Sequence, residues 1–150
     1  MDTLLQYATT IAIIGSLIFA AKKFTSDARQ NKAVIISNLY KMFHDNPDMM
    51  GIFYEIEYSR FKYPDGFHGT PKEQALDKLL DYFETIGKLY ANKILNETDL
   101  MTFKYRILSV YQNHNIKEYL KFLDRLQVDR RRSEILFGEF RKLAEILQTK

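Results

Sequence analysis

The stretch Thr70–Tyr90, TPKEQALDKLLDYFETIGKLY, decides the fold class of this 150-residue chain. It opens with Thr70-Pro71-Lys72-Glu73, a capping box whose side chains accept amide protons of the first helical turn. Apolar residues then recur at spacings of three and four, the period of one helix face. The stretch therefore predicts a long amphipathic helix. Its apolar face holds Leu76, Leu79, Leu80, Phe83, Ile86, Gly87 and Tyr90, and continues to Ile94.

Helical patterns also lie upstream of this stretch. A first helix is predicted to end near His44–Pro47, because the residue before a proline disfavours helix. Asn46 is then placed to cap a second helix, with Pro47 in its first position. That second helix is predicted to run to Pro64–Gly66, where proline and glycine stop it.

Three further helices are predicted after the central one. The central helix is predicted to end before a break at Asn96–Thr98. A fourth helix follows that break, and a second capping box from Asn115 to Glu118 opens a fifth. Residues 135–147 carry the apolar spacing of a last helix. No segment alternates convincingly at period two. The sequence therefore predicts an all-α fold, with a bundle of about five helices.

The N-terminal segment differs from the rest in having no charged side chain. Residues 4–21 read LLQYATTIAIIGSLIFAA and follow a short tail, residues 1–3. As a helix they would be about 27 Å long, enough to cross the hydrocarbon core of a bilayer. Two alternatives stay open: a secretory signal peptide, which lacks its cationic start here, and a buried core helix. The segment predicts a single transmembrane helix.

Cationic side chains follow the predicted span, whereas Asp2 precedes it. The positive-inside rule then places residues 22–150 in the cytoplasm and the protein in the inner or plasma membrane. Residues 22–46 are predicted to continue the helix from the membrane, and residues 47–150 to form the cytoplasmic helical domain. Anionic lipid headgroups are the predicted contact of these cations, with a solvated helix face as the alternative. They are Lys22, Lys23, Arg29 and Lys32.

Small residues recur every fourth position along the predicted span. Small side chains let two helix backbones approach closely in lipid, where packing drives association. The stripe therefore predicts a packing surface for a homo-oligomer, although such residues are common in transmembrane helices. Its members are Ala8, Ala12, Ser16 and Ala20.

Composition narrows the classes of function. The chain has no cysteine, which excludes disulfides and thiolate chemistry and fits a reducing compartment. A net charge of +3 is small and dispersed, so a nucleic-acid partner is disfavoured. Ten Tyr and eleven Phe without Trp provide the aromatic content of a packed core.

Residues that could carry catalysis are few. The His44-Asp45 pair resembles part of a metal phosphohydrolase site, but it stands alone beside a helix end and is interpreted as a helix terminus. Asp77, Asp81 and Glu84 share one helix face, which is more typical of a solvated surface than of a metal site. For Glu84, a structural hydrogen bond is predicted. No phosphate-binding loop, nucleophile elbow or metalloprotease motif occurs. The sequence predicts no enzyme activity and no cofactor.

Two segments are candidate partner surfaces. Residues 53–67 combine aromatic residues with Arg60 and Lys62, and tyrosine and arginine are common anchors in protein interfaces. The alternative is that half of these aromatic residues face the core. A second cationic segment lies between the last two helices and has a solvated linker as its alternative. The candidate residues are Tyr54, Tyr58, Arg60, Phe61, Arg130, Arg131 and Arg132.

The block Leu79–Tyr90, followed by Lys93–Leu95 and Glu97–Asp99, resembles a recurrent block in an uncharacterised bacterial and phage family. Its members are short, N-terminally membrane-anchored helical proteins, known only as a domain of unknown function. The resemblance covers roughly residues 22–125. It implies one anchor and one cytoplasmic helical domain, and it brings no catalytic residues with it.

Two functional classes follow from these observations. The preferred one is a non-enzymatic module, tethered to the membrane, that binds an unidentified cytoplasmic protein or a second copy of the chain. The alternative is a small membrane-acting effector, toxin-like or defence-associated, that oligomerises through its anchor. Which of the two applies depends on whether Gln6, Thr9, Thr10 and Ser16 face a partner helix or line a pore. A hydrolase with an unrecognised site stays open as a third class.

Overall fold

The computed structural model describes residues 2–129 and 135–149, and within the first helix it describes the side chains of residues 16, 19, 20 and 22 onward. Every regular element among these residues is an α-helix, which confirms the all-α prediction. In chain order the helices are α1 (Asp2–His44), α2 (Pro47–Glu57), α3 (Pro71–Ala91), α4 (Glu97–Gln112), α5 (His114–Asp129) and α6 (Gly138–Gln148).

The chain divides into two compact units, Met1–Leu39 and Tyr40–Lys150. The first unit holds most of α1, and the second contains the last turn of α1 together with α2–α6. Among the residues whose side chains are described, no helix has an apolar stretch long enough to cross a membrane. Most side chains of the predicted span, residues 4–21, lie outside that set. The membrane anchor therefore stays a prediction.

The predicted small-residue stripe and the cations after it lie on α1. In the stripe, the side chains of Ala8 and Ala12 lie outside those described, Ser16 is exposed and Ala20 is partly exposed. The cations are Lys22, Lys23 and Arg29, all exposed, and the partly buried Lys32.

Three helices begin at local capping residues, of which Asn46 and Thr70 were predicted as caps and Asn96 as a break. Asn46 Oδ1 accepts the amide proton of Met49 at 3.1 Å, and Pro47 opens α2. Thr70 Oγ1 accepts from the Glu73 amide at 3.1 Å at the start of α3. At α4 the bonds are reciprocal, because Asn96 Oδ1 accepts from the Asp99 amide and the Asp99 carboxylate accepts from the Asn96 amide. Each cap satisfies amides that have no partner within the helix.

The predicted end of α2 is wrong, because the helix stops at Glu57 rather than near Pro64. Ser59 has a φ of 56°, in the left-handed region. The chain then folds back, so that the amides of Arg60 and Phe61 both donate to the Glu55 carbonyl, at 2.7 and 2.8 Å. This is a Schellman-type closure, which glycine usually makes. A serine in that position gives no sequence signal for the stop.

The segment after α2 is a loop whose aromatic residues enter the core. Phe61 and Phe67 are buried, and their rings meet edge to face at 5.8 Å between centroids. Asn115 Nδ2 donates to the Phe61 carbonyl at 3.1 Å and joins the loop to α5. The loop is therefore anchored by burial and by a hydrogen bond from a distant helix.

The predicted cap of the fifth helix is displaced by two residues. Asn113 Oδ1 accepts from the amides of Asn115 and Ile116, at 2.9 and 3.3 Å, and α5 begins at His114. Asn115 lies in the first turn, where its side chain is occupied by the Phe61 carbonyl. Asn113 and Asn115 are equally suited to cap a helix by residue type. Asn113 is the cap because the Asn115 side chain is bonded to the loop.

Helix α6 packs closely on α3. A Cβ atom at Gly87 would lie 2.7 Å from the backbone of Glu139, so this crossing requires glycine. Phe137 precedes α6 with a left-handed φ of 55° and makes no side-chain cap. Glu84 Oε2 accepts the Phe140 amide proton at 2.9 Å instead, so α3 caps α6. This confirms the predicted structural hydrogen bond of Glu84.

Candidate partner-binding surface

Two tyrosines near the end of α2 project into solvent, one helical turn apart. The exposed fraction is 42% for Tyr54 and 62% for Tyr58, and the two rings stack with 6.2 Å between centroids. Arg60 follows in the loop, and its guanidinium carbon lies 5.2 Å from the centre of the Tyr58 ring. A cation over a tyrosine face is held by the ring quadrupole, so these three side chains form one surface.

Helix α4 adds a third exposed tyrosine to this surface. The Tyr105 side chain is 64% exposed, and its hydroxyl donates to Glu57 Oε1 at 2.6 Å. This hydrogen bond joins α4 to the last turn of α2 and raises the pKa of the Tyr105 hydroxyl. Because the Tyr105 hydroxyl is already bonded to Glu57, the faces of the ring are the part of the side chain that a partner can contact.

Arg106 lies at the floor of a cleft next to these rings. Its guanidinium carbon is 4.6 Å from the Phe43 ring centre and 5.9 Å from that of Tyr40. The cleft has a volume of about 290 Å³. Its walls come from the last turn of α1, α2 and α4, namely Tyr40, Phe43, Phe53, Tyr54, Glu57, Thr102, Tyr105 and Arg106.

The two arginines have no carboxylate within ion-pair distance among the residues that the structure describes. Both guanidinium groups are held against aromatic rings instead. An uncompensated cation beside exposed aromatic area is typical of an interface anchor. We call the set Tyr54, Tyr58, Arg60, Tyr105 and Arg106 the aromatic face.

The structure divides the sequence-predicted surface. Tyr54, Tyr58 and Arg60 lie together on the aromatic face, but Phe61 is fully buried, so its assignment to the surface is corrected. Phe61 turns inward because the closure at Ser59 reverses the chain just before it. The predicted cationic segment Arg130–Arg132 lies outside the described residues.

Sequence reasoning missed Tyr105 and Arg106. A signal was present, because Tyr105 falls between the buried positions Phe103 and Ile107 and off the apolar stripe of α4. What the sequence did not contain was the pairing of Tyr105 with Glu57, 48 residues earlier. That long-range hydrogen bond brings α4 into the surface.

A second tyrosine-rich cluster lies where the loop meets α3 and α5. His68 Nδ1 donates to Glu73 Oε1 at 2.8 Å, and the Tyr63 hydroxyl donates to His68 Nε2 at 2.9 Å. The single proton of the buried Tyr119 hydroxyl is shared between Asp77 Oδ1, at 2.7 Å, and Glu73 Oε1, at 3.2 Å. We call Tyr63, His68, Glu73, Asp77 and Tyr119 the loop latch.

Burial and hydrogen bonding act differently on the two carboxylates of the loop latch. For Asp77, burial raises the pKa more than the Tyr119 hydrogen bond lowers it. For Glu73, burial raises the pKa, but hydrogen bonds from His68, the Gly69 amide and Tyr119 outweigh it and lower the pKa overall. Each polar side chain of the latch has a partner within the domain, so the cluster serves to hold the loop.

The loop latch borders a shallow groove of about 560 Å³, in which Phe122 stacks on His68 with 3.9 Å between ring centres. Within the described part of the chain, no group of three or more His, Asp or Glu side chains is arranged to hold a metal ion. The three acidic residues that the sequence places on one face of α3 have separate environments. Asp77 accepts a hydrogen bond from Tyr119, Glu84 caps α6 and Asp81 is exposed.

Comparison with known proteins adds no relative. No protein-family model, curated protein or solved structure matches the chain. The resemblance to the uncharacterised membrane-anchored family therefore stays a prediction.

Proposed function

We propose that the chain is a single-pass membrane-anchored helical protein whose cytoplasmic domain is a non-enzymatic interaction module. Its aromatic face is the surface that binds a cytoplasmic protein. The observation that carries this proposal is the set of three exposed tyrosines and two arginines that α2, α4 and the following loop assemble. The three tyrosines contribute the largest apolar area to this face. Large apolar rings left in solvent favour burial against a partner.

The anchor part of the proposal rests on sequence. Residues 4–21 carry no charged side chain, and the cations from Lys22 to Lys32 follow directly. We propose that these cations contact anionic headgroups and keep residues 22–150 on the cytoplasmic side. Two copies associating through Ala8, Ala12, Ser16 and Ala20 would present two aromatic faces at one membrane site, which strengthens binding to a partner with two epitopes.

Photocrosslinking in cells tests the binding surface. A photoreactive phenylalanine analogue replaces Tyr58 on the aromatic face, or Lys121, an exposed position on α5, as the matched control. We expect a discrete protein adduct at position 58 that weakens when Tyr105→Ala is added, and none at position 121. The same adducts at both positions, or no adduct at position 58, would contradict the proposal.

Membrane fractionation tests the anchor separately. We expect the full chain to sediment with membranes and to resist extraction by carbonate, since a spanning helix is held by its apolar length. Release of intact protein by carbonate would remove the anchor from the proposal and leave the binding surface untouched.

A further inference from the structure

Arg106 is a partly buried cation whose contacts within the described residues are with aromatic rings. Its guanidinium stacks on Phe43 and reaches toward Tyr40, and no carboxylate of the described residues pairs with it. Removing a cation from water without an anionic partner is unfavourable. The arrangement persists because the rings supply part of the missing attraction, and a carboxylate from another molecule would supply the rest.

A second unsatisfied group lies behind the same wall of the cleft. The Tyr82 hydroxyl is buried and has no hydrogen-bond partner among the described residues, and its ring lies 5.7 Å from that of Phe43. Burial raises the pKa of Tyr82, and the positive charge of Arg106 acts to lower it. The cleft is therefore lined by one unpaired cation, and one unpaired hydroxyl is buried behind Phe43.

We propose that the aromatic face binds a protein segment in which an aspartate or glutamate stands next to an apolar or aromatic residue. The carboxylate pairs with Arg106, and the neighbouring side chain fills the cleft between Tyr40, Phe53 and Tyr105. This inference rests on the proposed function, because it names the partner of the same surface. It adds which side chains the partner must present to this surface.

The size and charge of the site favour one anchor side chain of a polypeptide. A volume of about 290 Å³ lies at the lower limit for small-molecule pockets and is lined mostly by rings. Arg60, on Tyr58, offers a second cation on the same face. Glu57, in the last turn of α2, accepts the Tyr105 hydrogen bond, and its charge disfavours a second carboxylate there. Two arginines interrupted by a glutamate suit a sequence with spaced acidic residues better than a continuous phosphate backbone.

A peptide-display experiment tests this chemistry. The full chain in a mild detergent is panned against a library of random 12-residue peptides. We expect the enriched peptides to share an acidic residue next to an aromatic or large aliphatic one. For a selected peptide, Arg106→Gln is expected to weaken binding by about tenfold or more, since it leaves a desolvated carboxylate without its partner.

Matched variants assign the effect to charge. Arg106→Lys keeps the cation and is expected to lose less affinity than Arg106→Gln, and Arg125→Gln, an exposed arginine of α5, is the control with no effect. Replacing the acidic residue of the peptide by its amide should weaken binding to the wild type but not to Arg106→Gln. Circular dichroism checks that the variants keep the helical content of the wild type.

The outcomes separate this inference from the proposed function. Neutral or basic peptides whose binding falls with Tyr58→Ala and Tyr105→Ala would overturn the carboxylate partner and leave the aromatic face as the binding surface. Peptides indifferent to all three face variants, or no enriched peptides, would overturn both. Binding of phosphatidylserine vesicles that depends on Arg106 would replace the protein partner by a membrane surface.

Discussion

The aromatic face and the loop latch are built from the same residue types, yet their side chains are used in opposite ways. In the loop latch, the Tyr119 side chain is 1% exposed and its hydroxyl is held by two carboxylates. On the aromatic face, Tyr58 and Tyr105 are 62% and 64% exposed, and the nearby guanidinium groups lack carboxylates in the described part of the chain. A tyrosine-rich cluster whose polar groups are paired internally stabilises the fold. One with exposed rings and with guanidinium groups that lack a carboxylate is available to a partner.

Truncation of a buried ring of the loop, compared with an exposed ring of the aromatic face, gives the largest expected difference in stability. Phe67 is buried and packs edge to face on Phe61, Tyr63 and Tyr119. We expect Phe67→Ala to lower the free energy of unfolding by about 3–5 kcal/mol, since it opens a cavity in the core. Tyr58→Ala, on the aromatic face, should change it by less than about 0.5 kcal/mol. Urea unfolding of the full chain in detergent, followed by circular dichroism, measures both. Equal losses would break the distinction.

Removal of single hydroxyls sharpens the comparison without changing ring packing. Tyr119→Phe leaves the partly buried Asp77 carboxylate without its donor, and we expect a loss of about 1–3 kcal/mol in the free energy of unfolding. Tyr105→Phe removes a solvent-exposed hydrogen bond to Glu57 and should cost less than about 0.5 kcal/mol. If the Tyr105–Glu57 bond contributed as much to the free energy of unfolding as the Tyr119–Asp77 bond, burial would not explain the difference between the two clusters.

The smallest expected effect is a pH dependence in the loop latch. Because burial raises the pKa of Asp77 in the folded state, its protonated form contributes stability at low pH, and this contribution is lost as the pH rises through the folded-state pKa. Asp77→Asn keeps an acceptor for Tyr119 and removes the charge. We expect the variant to gain stability relative to the wild type as the pH rises above about 4, the ordinary pKa of an aspartate, by less than about 1 kcal/mol, because the site is partly exposed.

Comparison of the variant with the wild type at each pH cancels the opposing contribution of Glu73, whose pKa is lowered. Denaturant unfolding over this pH range gives the difference directly. A variant that loses stability relative to the wild type as the pH rises would mean that the Asp77 charge is favourable in the folded latch.

Local signals in the sequence predicted the helix starts well and the helix ends less well. Asn46, Thr70 and Asn96 cap helices by bonds to amides three residues away, so their effect is readable from the sequence. The end of α2 depends on Ser59 in a left-handed conformation, a state for which serine has no preference. The same device closes α3 at Lys93, with a φ of 60°. In each case the residue two positions later, Phe61 or Leu95, is buried in the core.

The candidate surface was predicted in part. Tyr54, Tyr58 and Arg60 were predicted because tyrosine and arginine are common anchors in interfaces. Phe61 was predicted with them because it lies in the same aromatic and basic segment, and the chain reversal puts it in the core instead. Tyr105 and Arg106 escaped prediction, because their place on the face depends on which helix lies beside α2.

The sequence by itself determined that the chain is helical, where α2, α3 and α4 begin and which positions carry apolar side chains, because each of these depends on interactions within about one helical turn. The tertiary structure alone decided which polar groups meet. Tyr105 and Glu57 are 48 residues apart, Tyr119 and Asp77 are 42 apart, and Phe140 and Glu84 are 56 apart. Such pairs form only when packing of the apolar faces has brought whole helices together. Packing therefore determined which tyrosine rings were buried in the fold and which were left exposed for a partner.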